Sequence, residues 1–390
     1  MDGASRAADA ESDLALRLVR HIAAGLIVLA VSACASPGTP PGGPPDTQAP
    51  KIVRIVPDSA KTGVNPQEVV FKFDEVVNER PSGAATLDAL FLISPRNGDT
   101  QASWHRSEIA VRPRRGFKKN TTYTITLLPG LSDLRGNTRN TGAITIFSTG
   151  PTLATGRISG TLFNWAEGRI VSRGLIEARP VTDTASVYLT ATDSVGDFAL
   201  RNIPPARYRV RGFSDDNNNR GIDPREPFDT VIVDLADSAK VEILAFVHDS
   251  VGTRLSSISV KDSVTLNLNF DNPLSVTDTL KPAAIRIRGS DSTEIPVASV
   301  APPPPDTTTS TVRKPSRLVP LRMLIVRLSR PLRPKISYRV RVTDVHNLIG
   351  VAKTSERETS LPAPVAPPAA TKPPTAVPPP VIQPPAPVKK

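Results

Sequence analysis

Proline is the feature that most restricts what this chain can fold into. The 390 residues include 41 prolines, about twice the usual share of roughly 5%. Because proline removes a backbone donor and breaks helix interiors, we expect no long helices. The chain has a single cysteine, so no disulfide can form within it, and the folded parts must be held by β-sheet packing.

Short apolar runs bounded by turn residues predict strands from residue 51 onward. Within residues 51–150 such runs occupy 51–56, 69–73, 90–95, 108–112, 122–127 and 143–147. Six or seven short strands over about 100 residues are typical of a two-sheet sandwich. The fold class that we predict is therefore all-β.

Several motifs in this region, taken in order, resemble the bacterial Ig-like modules of the SbsA type. They are Pro57–Ala60, Phe71–Glu75, Phe117–Ile125, Asp133–Asn137 and Ile146–Thr149. The resemblance implies that residues 51–150 form an Ig-like sandwich on a surface or exported protein, without an active site.

Residues 151–248 carry a different set of motifs. They are Val187–Asp193, Gly196–Leu200, Ile203–Pro205 and Tyr208–Val210. This set is similar to the prealbumin-like repeats of the carboxypeptidase-regulatory and collagen-adhesin B classes, which implies a second β-sandwich. The glycine usual before the tyrosine is replaced near Ala206 and Arg207, so the turn type there stays open.

Residues 249–360 repeat the first pattern weakly. The segment Val264–Asn272 parallels Val69–Glu75, and Pro331–Val340 parallels residues 116–125. An insert at 301–314, rich in proline and threonine, separates the two blocks and is predicted to be a disordered loop or hinge. We expect a degenerate Ig-like module, which makes three β-sandwich modules in series.

The N-terminal segment has the pattern of an export signal. Arg17 and Arg20 precede an apolar run that ends at Ser32-Ala33-Cys34, and this run is too short to span a bilayer. It resembles the lipobox of bacterial lipoproteins, which implies that residues 1–33 are removed and that Cys34 is lipidated. An ordinary cleaved signal is the alternative. Because residues 2–13 are acidic, we also predict that translation starts near Leu16.

The resemblance to lipoproteins also predicts a location. No aspartate follows Cys34, which favours the outer membrane and leaves open whether the protein faces the periplasm or the surface. Residues 34–50 are predicted to be a Pro/Gly tether and residues 361–390 a disordered Pro-rich tail with a basic tip.

The formal net charge of +11 permits binding to anions, but the basic residues alternate along strands, as solvent-facing positions do. Without a recognition motif we expect no nucleic-acid partner. An envelope surface carrying lipopolysaccharide or peptidoglycan is a second use that fits this charge.

One loop has the composition of a metal site. From Asp215 to Glu226, oxygen side chains fall at positions 1, 3, 5, 9 and 12, the spacing of an EF-hand calcium loop. The candidate ligands are Asp215, Asn217, Asn219, the Gly221 carbonyl, Asp223 and Glu226. Arg220 stands where glycine normally permits the turn. The alternative is a polar hairpin loop whose Asx side chains bond their own backbone.

No motif of an enzyme is present. The four histidines lack metal-ligand spacing, and no nucleophile elbow or phosphate loop occurs. Trp104 and Trp165 suit sugar stacking or core packing. We therefore predict a non-enzymatic envelope or surface protein that acts as a scaffold or adhesion module with envelope proteins as partners. The alternative is a carbohydrate- or cell-wall-binding sandwich protein.

Overall fold

A computed structural model describes residues 43–217, 219–304 and 317–362. Residues 1–42, with the predicted export signal and Cys34, lie outside it, as do most of the predicted insert and the predicted tail from residue 363. Within the described ranges no helix is long and apolar enough to span a membrane. The strands fall into three consecutive groups, which we call modules 1, 2 and 3.

Module 1 is a two-sheet sandwich with a small additional ribbon. One sheet has the order β1-β2-β5-β4, the other β3-β6-β9, and β7 pairs with β8. Alternating strands such as β2 turn Val69, Phe71 and Phe73 into the core. The strands are β1 Ile52–Val56, β2 Val69–Phe73, β3 Phe91–Ser94, β4 Thr100–His105, β5 Glu108–Pro113, β6 Thr122–Leu127, β7 Leu131–Ser132, β8 Thr138–Arg139 and β9 Ala143–Ser148.

Module 2 is also built from two sheets around its own core. β10 pairs with β11, β14 and, in parallel, β17, while the second sheet has the order β13-β12-β15-β16. Pro204 and Pro205 connect β14 to β15 before Tyr208, and Asn202 near the end of β14 has a positive φ of 57°. The strands are β10 Gly156–Asn164, β11 Arg169–Ile170, β12 Leu175–Pro180, β13 Tyr188–Ala191, β14 Asp197–Ile203, β15 Ala206–Phe213, β16 Phe228–Leu235 and β17 Ser238–Ala245.

Module 3 repeats the topology of module 1. Its sheets have the orders β18-β19-β22-β21 and β20-β23-β24, and its core is a separate cluster. Residues 305–316, which the structure does not describe, fall between β21 and β22 in the chain. The equivalent strands of module 1, β4 and β5, are joined by a tight hairpin. The strands are β18 Leu255–Asp262, β19 Thr265–Phe270, β20 Ile285–Gly289, β21 Val297–Ala301, β22 Met323–Leu328, β23 Ser337–His346 and β24 Ala352–Ser360.

Local hydrogen bonds support this repetition. The hydroxyl of Tyr123 accepts from the backbone N–H of Lys118 at 2.7 Å, and that of Tyr338 accepts from the N–H of Arg333 at 2.8 Å. Both donors lie five residues before their tyrosine. Each tyrosine is fully buried in its core, so the same contact fixes the same loop in both modules.

The all-β prediction with sandwich-like sheets is confirmed. The six strand runs predicted for residues 51–150 all form strands. The chain also packs before residue 51, because Asn137 donates its side-chain amide to the carbonyl of Asp46 at 3.0 Å and Arg139 reaches the carbonyl of Pro50 at 3.3 Å.

Candidate functional site

The predicted calcium loop connects β15 to β16. The side chain of Asp215 accepts two backbone N–H groups, from Asn219 at 3.0 Å and from Arg220 at 2.9 Å. The N–H of Gly221 donates to the side-chain oxygen of Asn219 at 2.6 Å. Arg220 has a φ of 57°, so arginine makes the left-handed turn that glycine makes in an EF-hand.

The far half of the loop is organised by Glu226, which is 5% exposed. Its carboxylate accepts the backbone N–H groups of Asp216 and Asp223, both at 3.0 Å. The side-chain amides of Asn217 and Asn219 both donate to Oδ2 of Asp223. The carboxylates thus accept N–H donors throughout, and a cation would have to replace several of these bonds.

Arg220 reaches out of the loop into module 1. Its Nη2 lies 3.0 Å from the carbonyl oxygens of Asp88 and Ala89 and 2.9 Å from that of Phe91. Its Nη1 donates to the hydroxyl of Thr100 at 3.2 Å. The carbonyls belong to the short 3₁₀ helix Asp88–Leu90 and the strand after it, so one guanidinium caps a helix end of the neighbouring module. We call this contact the Arg220 clasp.

Backbone pairing and apolar burial extend the same junction. The N–H of Arg96 donates to the carbonyl of Val187 at 2.7 Å, and the N–H of Leu189 donates to the hydroxyl of Ser94 at 2.9 Å. Beside them Leu92 of module 1 packs with two buried residues of module 2, Leu175 and Phe213. Burial, and secondarily Arg96, lowers the pKa of Arg220 from its ordinary value.

A second junction joins modules 2 and 3. The indole N–H of Trp165 donates to the carbonyl of Leu318 at 2.8 Å. Trp165 lies in a buried cluster with Phe163, Leu244 and Phe246, and Leu348 of module 3 packs against it. A cleft of about 140 Å³ opens beside this contact. Its lining includes Asn164, Glu167, Phe246, Asn272 and Asn347.

Both tryptophans pack against apolar clusters, although Trp104 is only half-buried. Trp165 is 9% exposed. Trp104 packs against the core of module 1, and its indole N–H donates to the carbonyl of Val77 at 2.9 Å. Both residues are therefore packing residues, the second of the two roles considered from the sequence.

An acidic cluster that the sequence did not reveal lies at one end of module 1. Asp46, Glu75 and Asp133 can place one carboxylate oxygen each within 4.8 Å of one another, the one such group among the residues described here. Burial, and then Asp133 and Asp46, raise the pKa of Glu75. Asp133 is already held by Asn137, whose side-chain amide donates to it at 2.7 Å. The sequence did not reveal this cluster because its three acidic residues are far apart in the chain.

Residues 46–149 match the bacterial Ig-like domain family, and no enzyme family is matched. No curated protein sequence matches the chain. Among solved structures, the N-terminal part of the S-layer protein SbsC is similar at 19% identity with a TM-score of 0.22, covering 30% of this chain and 26% of that one.

Two other solved structures are similar over about half of the chain. A putative carbohydrate binding protein from Bacteroides uniformis is 13% identical with a TM-score of 0.18, covering 53% of this chain and 100% of that one. BcpA, the major pilin subunit of Bacillus cereus, is 10% identical with a TM-score of 0.19, covering 51% and 70%.

Proposed function

We propose that this protein is a lipid-anchored, exported and non-enzymatic envelope protein whose three sandwich modules form a stiff spacer or scaffold. The observation that most directly supports this proposal is that side-chain hydrogen bonds cross both module junctions, in addition to the covalent connection of the chain. The Arg220 clasp closes the first junction, and the bond from Trp165 to Leu318 closes the second.

The energetics favour stiffness over a string of independent modules. Domains of one chain move relative to each other by default unless their interface is large and hydrophobic. The first junction combines the apolar contact of Leu92 with Leu175 and Phe213 with the hydrogen bonds of the Arg220 clasp. Hydrogen bonds from a charged donor contribute about 1.5–3 kcal/mol each, and the partly buried guanidinium of Arg220 donates several such bonds to module 1. Freeing Arg220 would leave its carbonyl partners unpaired, so the two modules resist separation.

The anchor rests on Cys34, and the match of residues 46–149 to an Ig-like family supports a module of the surface class. One lipid chain binds a membrane only marginally, whereas two or more anchor stably. A multiply acylated Cys34 would therefore hold the spacer at the outer membrane, with envelope proteins as partners.

Mass spectrometry of the mature N-terminus from membrane fractions tests this function. We expect a diacylated or triacylated peptide that begins at Cys34, and we expect the Cys34→Ala variant to lose it and to leave the membrane fraction. An unmodified N-terminus in the soluble fraction of the wild type would contradict the anchor and leave a secreted modular protein.

Carbohydrate or cell-wall binding is the second candidate, and the cleft at the second junction favours it. The cleft lining combines apolar Phe246 with polar Asn272, whose side-chain amide also donates to Asp249 at 2.7 Å, and ligand pockets use such a mixed lining. A pull-down on peptidoglycan and polysaccharides tests it, with Asn272→Ala as the cleft variant and Trp104→Phe as the control. If the wild type and both variants are retained equally, or if none is retained, carbohydrate binding at this cleft is excluded.

A further inference from the structure

The sheet β13-β12-β15-β16 of module 2 has an outer face that module 1 covers only in part. Beyond the junction a cavity of about 200 Å³ remains, lined by Glu177, Arg179, Thr184, Arg209 and Arg211. Arg96 of module 1 reaches the same place, 3.8 Å from Glu177. Four arginines therefore surround one glutamate.

The register of the strands forces two of these arginines together. Arg179 lies directly opposite Arg209, and Glu177 lies opposite Arg211. Directly opposed side chains have Cβ atoms about 5 Å apart, and like charges in such pairs are destabilising. The other cross-strand neighbour of Arg209 is Ile232, so neither directly opposed position offers Arg209 an acid.

Glu177 does not neutralise the whole group. Its side chain is 7% exposed and pairs with Arg179 at 3.0 Å as well as with Arg96. Arg211 donates to the hydroxyl of Thr230 at 3.4 Å. Among the residues that the structure describes, the side chain of Arg209 has no hydrogen-bond or ion-pair partner. The glutamate orients two guanidinium groups, and a net positive charge remains at the cavity.

We propose that this cavity is a binding site for an oxyanion, a phosphate or carboxylate that is either free or carried on a saccharide. The planar guanidinium fork matches the oxygens of such groups in a bidentate manner. Arg209 and Arg211 project from β15 on the same face, and Arg179 lies opposite Arg209 on β12, so one anion seated among them would relieve the repulsion between these guanidinium groups. The Thr184 hydroxyl is a further donor. This site is independent of the lipid anchor and of the spacer function.

Calorimetry of the full chain in detergent, at fixed ionic strength in sodium chloride, tests the proposal. The probes are inorganic phosphate, glucose 6-phosphate and glucuronate. We expect saturable binding of at least one probe in the millimolar range. A preference for glucose 6-phosphate or glucuronate over phosphate identifies a saccharide-borne anion, and equal or better binding of phosphate identifies the free ion.

Two matched variants separate a built site from general positive charge. Arg209→Ala removes the unpartnered guanidinium and should weaken binding about tenfold or more. Arg207→Ala removes the same charge two residues away on the same face, where Arg207 pairs instead with Asp234 at 3.5 Å, and should change binding less than about twofold. Both side chains are exposed, so both variants should fold. Equal losses in the two variants, or no saturable binding of any probe, would overturn the proposal.

Discussion

Leu92 and Arg286 occupy equivalent positions in two copies of one topology. Leu92 is the second residue of β3 and pairs with Thr126, and Arg286 is the second residue of β20 and pairs with Arg341. Leu92 is 1% exposed in the first junction, whereas Arg286 faces solvent. The same sheet face thus closes a junction in module 1 and is charged in module 3.

This relationship gives the first prediction. Leu92→Arg should destabilise the first junction by about 2–5 kcal/mol, because it removes a buried side chain and buries a charge without a partner. The matched change Arg286→Leu should shift stability by less than about 1 kcal/mol, since it only relieves an exposed pair of like charges. Hydrogen exchange of β3 and β20 peptides measures both. Equal effects would contradict the assignment of the two faces.

The indole N–H of Trp165 is predicted to hold the second junction. Trp165→Phe keeps an aromatic ring but leaves the carbonyl of Leu318 unpaired, and should cost about 1 kcal/mol and speed exchange at the junction. Trp104→Phe removes a comparable bond inside module 1 and should leave the second junction unchanged. Faster hydrogen exchange at the second junction in both variants, or in neither, would contradict this role of Trp165.

The loop from Asp215 to Glu226 is proposed to take calcium weakly, with a Kd of about 10⁻⁴ to 10⁻³ M, as extracellular sites do. Affinity should be low because calcium must replace N–H donors that already occupy the carboxylates. Titration of the full chain should show heat that Asp223→Asn removes and Asp216→Asn retains, since Asp216 is not among the candidate ligands. No heat up to several millimolar calcium would leave the polar hairpin loop as the only role.

The lowered pKa of Asp133 predicts that module 1 becomes less stable in acid. Although burial opposes its ionisation, hydrogen bonds from Asn137 and Arg135 hold the pKa of Asp133 below its usual value. Because the folded pKa of Asp133 is depressed, its ionised carboxylate stabilises module 1 at any pH above the unfolded pKa of about 3.9. This stabilisation is lost as the pH falls through the folded pKa. The raised pKa of Glu75 acts in the opposite sense, costing stability as pH rises through it.

Urea unfolding followed by hydrogen exchange of module 1 checks this between neutral and acid pH. Asp133→Asn should be less stable at neutral pH by about 1–3 kcal/mol, because an amide cannot accept all three N–H groups. It should also lose less stability on acidification than the wild type does. A parallel loss in both proteins would show that other carboxylates are responsible.

The sequence predicted strands that form an apolar run, as β3 does, or that alternate in polarity. β2 and β6 alternate between core and surface, so their period was visible. β12 was not predicted, because Glu177 and Arg179 interrupt its apolar residues, and only the packing shows that Glu177 is buried. The role of Arg220 was hidden for a related reason: the sequence marks it as a departure from a loop motif, but only the packing of two modules shows what it binds.

The most direct test of the spacer account is the distance distribution between spin labels on modules 1 and 2. Val53→Cys and Val195→Cys place labels at exposed positions, in a Cys34→Ser background so that no other thiol reacts. We predict one narrow distribution for the wild-type junction and a broad one after Arg220→Ala, with Arg220→Lys in between because an ammonium cannot reproduce the fork. A broad distribution in the chain that retains Arg220 would contradict a stiff spacer.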